Sequence, residues 1–117
     1  MTTIKWLPEP EEHDYAAAEE YLSLLLGDNI AGDELKKAPM TAFKAKDVFR
    51  ASGVSLLGVS NSHVNKNIDK IKKKKELSPI LLVRDIDRGR LIVADGYHRL
   101  CAVYFFNEDA LIPCKII

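Results

Sequence analysis

The stretch L-I-V-A-D-G-Y-H-R-L-C-A-V-Y-F-F, Leu91 to Phe106, decides how the chain is read. Leu91, Ile92, Val93 and Ala94 form a short continuous apolar run, which fits a strand buried on both faces. Asp95-Gly96 breaks that strand, and Leu100, Val103 and Tyr104 then recur at helical spacing. The break is a strand-to-helix turn with Tyr97, His98 and Arg99 in the first turn of the helix.

The first turn of a helix carries backbone N–H groups without intrahelical partners, and the macrodipole leaves it partly positive. Gly96 lets the backbone approach a ligand closely. His98 and Arg99 add charge-assisted donors at the same place, which outlines a phosphate cradle. It is not a P-loop, because the long glycine-rich loop and its Lys-Ser/Thr ending are missing. A plain Asp-Gly turn with solvated basic side chains is the competing reading. Basic residues at the positive end of a helix cost roughly 0.3–1 kcal/mol, which a bound anion would remove, and this favours the cradle.

With 117 residues, 47% of them hydrophobic, the chain has the material for one core, so a single domain over residues 1–117 is expected. The formal net charge of zero argues against a protein that coats nucleic acid by charge alone, and leaves DNA only a local basic patch. No apolar run approaches the roughly 18 residues of a membrane span. The early Glu9, Glu11, Glu12 and Asp14 do not suit a signal peptide, so a cytoplasmic protein without membrane contact is expected. Cys101 and Cys114 sit among apolar neighbours and read as buried thiols. No His/Cys cluster has metal-ligand spacing, and no protein-bound metal site is predicted.

Taken in order, residues 1–12 read as an extended arm pinned by Trp6. Asp14 is the expected N-cap of a helix Tyr15 to Leu26, stopped by Gly27. Asp28-Asn29 and Ala31-Gly32-Asp33 are turn chemistry, and Glu34 to Lys37 make one helical turn. Met40 to Ala45 alternates weakly as a strand, and Lys46-Asp47 turns the chain. Asp47 to Arg50 forms a short helical turn. A loop over Ser52 to Ser60 leads to a helix capped by Ser60 or Asn61 and running to about Lys75, with Val64, Ile68 and Ile71 on its buried face. The run Lys72 to Lys75 suits the negative end of that helix. Pro79 opens a strand Ile80 to Arg84, Asp85 to Gly89 is a hairpin connection, Arg90 to Ala94 returns, and Leu111 to Ile117 is the last strand. The expected fold is α/β in the α+β sense, a small mixed sheet with packed helices.

The segments L-S-P-I-L-L-V-R (Leu77 to Arg84), R-L-I-V-A-D-G-Y-H-R-L-C-A (Arg90 to Ala102) and I-P-C-K-I-I (Ile112 to Ile117) resemble the amino-terminal domain of the ParB family, whose fold is shared with sulfiredoxin. The likeness is carried by residues from Leu77 onward and is weaker back to about Met40. It implies the order helix, Pro-Ile strand, second strand, Gly-x-x-Arg turn into a helix, and closing strand.

By that resemblance the site residues are Gly96, Tyr97, His98 and Arg99 as nucleotide or phosphate ligands. His63, Lys66 and Lys70 lie near the sulfiredoxin-like phosphate positions, and Arg50 lies in the segment that also carries an arginine in ParB-like domains. The ligand implied is a nucleoside triphosphate or diphosphate with Mg2+. Sulfiredoxin-type reduction is not implied, because Tyr97 stands where those enzymes carry their cysteine. The Asp95-Gly96-Tyr97-His98-Arg99 order is most similar to the turn of the free serine kinases of this fold, which implies that catalytic Asp95 orients or deprotonates a substrate hydroxyl or helps to hold a metal ion, with Asp47 as the candidate second carboxylate. Hydrolysis, phosphotransfer and binding without turnover all remain open, as does a homo-oligomer. The alternative is a non-enzymatic ParB-related module that acts through DNA or protein partners.

Overall fold

In the computed structural model, which describes residues 3–27 and 32–117, a mixed sheet is held between two layers of helices. In chain order the elements are α1 (Glu12–Leu26), α2 (Gly32–Lys37), β1 (Thr41–Lys44), α3 (Ala45–Ser52), α4 (Ser62–Lys72), β2 (Ile80–Asp85), a 3-10 turn (Ile86–Arg88), β3 (Arg90–Asp95), α5 (Tyr97–Phe106) and β4 (Leu111–Ile116). The turn expected at Asp28-Asn29 lies outside the described residues, as does Ala31.

The strand order is β1-β4-β2-β3. β2 lies parallel to β4, with Ile80 opposite Cys114, and antiparallel to β3, with Leu82 opposite Val93. β1 is antiparallel to β4. Side chains alternate across a strand, so β2 and β3 each feed two cores. Leu81, Val83, Ile92 and Ala94 pack with Tyr15, Ala18, Leu22 and Leu35 of α1 and α2. Ile80, Leu82 and Val93 pack with Val48, Val64, Ile68, Ile71, Leu100 and Val103 of α3, α4 and α5. Each fully buried aliphatic side chain contributes roughly 1.5–3 kcal/mol of transfer free energy, and this double burial explains why β2 and β3 read as apolar runs without alternation. The α+β class and the small mixed sheet agree with the sequence reading. β3, however, is an edge strand paired antiparallel to β2 alone, and its second face is closed by helix packing.

Several boundaries differ from expectation. α1 starts before Tyr15: Glu11 holds the N-cap position, and Asp14 lies in the first turn with its Oδ2 accepting the Glu11 N–H at 2.9 Å. α3 is longer than the predicted turn and begins directly after β1. α4 ends at Lys72, short of Lys75, because Lys74 adopts a left-handed backbone (φ 57°) that turns the chain toward the arm. The arm itself is extended: the Leu7 N–H donates to the Leu77 carbonyl at 2.8 Å, the Leu77 N–H donates to the Lys5 carbonyl at 2.9 Å, and Trp6 packs on the α3–α5 core. Asn61 caps α4 as predicted, its Oδ1 accepting from the His63 and Val64 N–H groups at 3.0 and 3.2 Å. Both cysteines are free and buried.

The junction between β3 and α5 depends on Gly96. Its φ of 106° and ψ of 18° are left-handed, and an added Cβ would stand 2.4 Å from Ile80 Cγ2 and 2.8 Å from Ile80 Cβ. Backbone strain and overpacking each cost about 1–3 kcal/mol. Gly96→Ala is therefore expected to lower unfolding stability by about 2–5 kcal/mol, measured by urea denaturation. A loss below half a kcal/mol would show that the turn does not need glycine.

Candidate phosphate-binding turn and its buried ion network

β3 delivers Asp95 to the end of the sheet, and Gly96 starts α5 with no side chain capping it. The first backbone bond of the helix runs from the Leu100 N–H to the Gly96 carbonyl at 2.9 Å, which leaves the N–H groups of Tyr97, His98 and Arg99 without a backbone acceptor. Tyr97 and His98 border a cleft of about 570 Å³ lined by Val93 to His98, by Gly53, Val54 and Ser55, and by Ala17 and Tyr21 of α1. The Tyr97 hydroxyl donates to the Ser55 carbonyl and ties the turn to the loop after α3.

His98 faces His63, with ring centroids 4.9 Å apart, and Tyr97 lies 5.4 Å on its other side. His63 stands in the first turn of α4, so two helix N-termini bring an imidazole to the same spot. Burial lowers the His98 pKa, with the neighbouring His63 and then Arg99 acting in the same direction. The ring is thus more readily neutral than an ordinary histidine, and an anion beside it would reverse that balance.

Arg99 does not extend into the cleft as a free cation. It is only 17% exposed, its Nη2 lies 2.9 Å from Asp95 Oδ2 and 3.3 Å from the Pro79 carbonyl, and its Nη1 lies 3.7 Å from Asp14 Oδ1. Its Nε is buried without a hydrogen-bond partner among the described residues. Asp14, 2% exposed, also accepts from the Ser78 hydroxyl, which in turn accepts the Glu11 N–H at 3.2 Å. Burial works to raise the Asp14 carboxyl, but the Ser78 hydroxyl, the Glu11 N–H and Arg99 outweigh it and hold the group below its usual range. Burial raises Asp95 to about 6, against the pull of Arg99 and with the help of the adjacent Asp14.

Of the outlying residues predicted for the site, His63 alone reaches the turn. Lys66 and Lys70 are exposed on α4 and do not line the cleft. Arg50 is 84% exposed and 4.0 Å from Asp47, an i,i+3 surface pair worth little. Asp47, the candidate second carboxylate, lines a different groove. The carboxylate beside Asp95 is Asp14, which as a sequence signal looked like a helix cap. Ser78 had no signal beyond its place before Pro79.

Among the described residues Asp95 is the one carboxylate lining the cleft, and Arg99 occupies it, so the turn does not fit a resident Mg2+. Glu11, His13 and Asp14 bring ligand atoms within 4.8 Å of one another. Asp14 is already engaged by Ser78, the Glu11 N–H and the Arg99 cation, which opposes a metal there. The thiols offer no nucleophile, since burial raises both and puts Cys114 at about 11. No helix among the described residues is long and apolar enough to cross a membrane. No protein-family model, curated protein or solved structure matches the chain.

Two predictions follow from the ion network. Arg99→Met leaves the buried Asp14 and the partly buried Asp95 without their guanidinium and should cost about 3 kcal/mol of stability. If guanidinium denaturation finds the variant within 1 kcal/mol of wild type, the network is not holding the fold together. The second concerns pH. A carboxyl raised to about 6 binds more protons folded than unfolded, so its contribution is present at low pH and is lost as pH rises from about 4 to 6. Asp95→Asn removes that decline; the difference in stability between pH 4.5 and pH 7 should shrink in the variant, and an unchanged difference would assign the effect elsewhere.

Proposed function

We propose that the Asp95-Gly96-Tyr97-His98-Arg99 turn binds the phosphates of a nucleoside di- or triphosphate, in a domain related to the ParB/sulfiredoxin fold. The observation that carries this reading is the uncapped α5 N-terminus with His98 lining an open cleft and His63 packed against the His98 ring. Free backbone N–H groups and a positive helix end favour an anion, and a phosphate beside His98 would favour its charged form. Arg99 supports the turn from beneath, by holding Asp95, in place of the direct phosphate contact expected from the sequence. Tyr97 and Gly53 to Ser55 form a wall against which the remainder of the ligand would lie.

Turnover, by hydrolysis or phosphotransfer, is the stronger form of the proposal. Asp95 lines the cleft with a carboxyl raised to about 6, a value suited to taking a proton from a water or a hydroxyl near neutral pH. Asp95→Asn would then lose turnover and keep nucleotide binding. If wild type turns over no nucleotide although it binds one, the domain is a binding module.

The deciding experiment is thermal stabilisation of the chain by each nucleoside di- and triphosphate, with and without magnesium. A ligand that binds only the folded state at a hundred times its Kd adds about 2.7 kcal/mol. One or more nucleotides should raise the melting temperature, and His98→Ala should weaken the response while leaving the unliganded protein folded. Because burial holds the His98 pKa below that of an ordinary histidine and a bound anion would raise it, affinity should rise as pH falls through the histidine range. No response to any nucleotide at concentrations well above millimolar would overturn the reading and favour the non-enzymatic alternative, with a DNA or protein partner.

A further inference from the structure

A second concave site lies at the opposite end of β3, between α3 and the β2–β3 hairpin. Its volume is about 450 Å³, within the span of roughly 300–1,000 Å³ usual for small-molecule sites. Phe43, Val48, Ala51, Ile86, Leu91 and Ile116 make most of its surface apolar. These side chains come from β1, α3, the 3-10 turn, β3 and β4, so the groove is a product of the tertiary fold. Ile86 is 81% exposed at its mouth, and Phe43 is also exposed.

The charges at the rim are unequal in availability. Asp85, 7% exposed, accepts from Arg90 at 3.2 Å and from Arg88 at 3.3 Å. Burial opposes its ionisation, but these two guanidinium groups hold its carboxyl below the usual range. Asp47 faces Arg50. Arg84 also lines the groove and has no carboxylate partner among the described residues. Its backbone is fixed by donation to the Ile117 carbonyl at 2.7 Å, so the base of the side chain is held in place. Asp47 at the rim is half-exposed and only loosely paired, whereas the buried acid, Asp85, is held by two guanidinium groups. With Arg84 free of a carboxylate among the described residues, the arginines outnumber the acids, and the apolar trough complements a ligand with an apolar body and a carboxylate head. The planar guanidinium can meet both carboxylate oxygens at once.

We propose that this groove binds a small amphipathic carboxylate, its hydrocarbon part against Val48, Leu91 and Ile116 and its head at Arg84. The site shares no lining residue with the Asp95 to His98 cleft, and the proposal stands or falls apart from nucleotide binding. A cationic amphiphile is disfavoured by the free arginine, and a purely polar anion by the apolar lining.

The test is titration of the folded protein with decanoate below its micellar concentration, followed by amide NMR shifts and calorimetry. Decyltrimethylammonium serves as the probe of equal tail and opposite head. Decanoate should bind saturably, with shifts at Val48, Leu91 and Ile116 and none at Gly96 to His98, and at least tenfold more tightly than the cationic probe. Arg84→Glu alters an exposed side chain and should keep the fold; it should weaken decanoate tenfold or more and reverse the preference between heads. Ala51→Trp, at an exposed α3 position, should fill the trough and remove binding of both probes. Equal affinity for the two heads, a titration that never saturates, or wild-type decanoate binding by Arg84→Glu would each overturn the proposal.

Discussion

The structure depends on one mostly enclosed guanidinium. Arg99 lies between Asp14 at the start of α1 and Asp95 at the end of β3, and its guanidinium also reaches the carbonyl of Pro79 at the head of β2. Three segments far apart in sequence are joined through a single side chain. Such a network is a weak source of net stability, because desolvating the charges offsets most of their attraction. Its consequence here is positional: with Asp14 2% exposed and Asp95 and Arg99 each 17% exposed, moving any of the three segments would part largely desolvated charges from their partners. Ser78 and the Glu11 N–H complete the shell of Asp14 and extend the constraint to the N-cap of α1.

The same arrangement determines the electrostatics of the turn. Since Arg99 is engaged below, the surface of the turn is defined by backbone N–H groups and by His98, whose lowered pKa leaves its charge responsive to a ligand, with the His63 ring beside it. A permanently charged arginine facing the cleft would make a stronger anion site of fixed affinity. Imidazoles over an uncapped helix end make one whose affinity depends on proton uptake. Asp95, held between burial and Arg99, is the single acid at the cleft wall.

β3 connects two unlike sites. Its last residue borders the polar cleft, and Arg90 and Leu91 at its start border the apolar groove, about 17 Å away at the usual rise per residue. An edge strand is otherwise a liability for pairing with other chains. Here helices cover both faces of β3, and the grooves beside it are walled by α1, α3 and the loop after α3.

Much of the fold was legible before the structure. The apolar runs Ile80 to Val83 and Leu91 to Ala94 signalled strands covered on both sides, Val64, Ile68 and Ile71 signalled one buried helix face, and Asp95-Gly96 signalled the turn, because each rests on local periodicity or on a backbone conformation that one residue type permits. The N-cap of α1 was misplaced for the same reason that the core of the site was missed. A carboxylate beside a helix start has the same local signature whether it caps that helix or is consumed by an arginine eighty-five positions along the chain. What the sequence by itself determined is therefore the α+β class, the order of its elements and the chemistry available at the Asp95 to Arg99 turn. Only the tertiary structure decided that Arg99 faces inward to Asp14, that His63 joins His98 while Lys66, Lys70 and Arg50 stay in solvent, and that an apolar groove forms beside Arg84. Those outcomes depend on which distant groups share one small, poorly solvated volume, and local sequence carries no record of that.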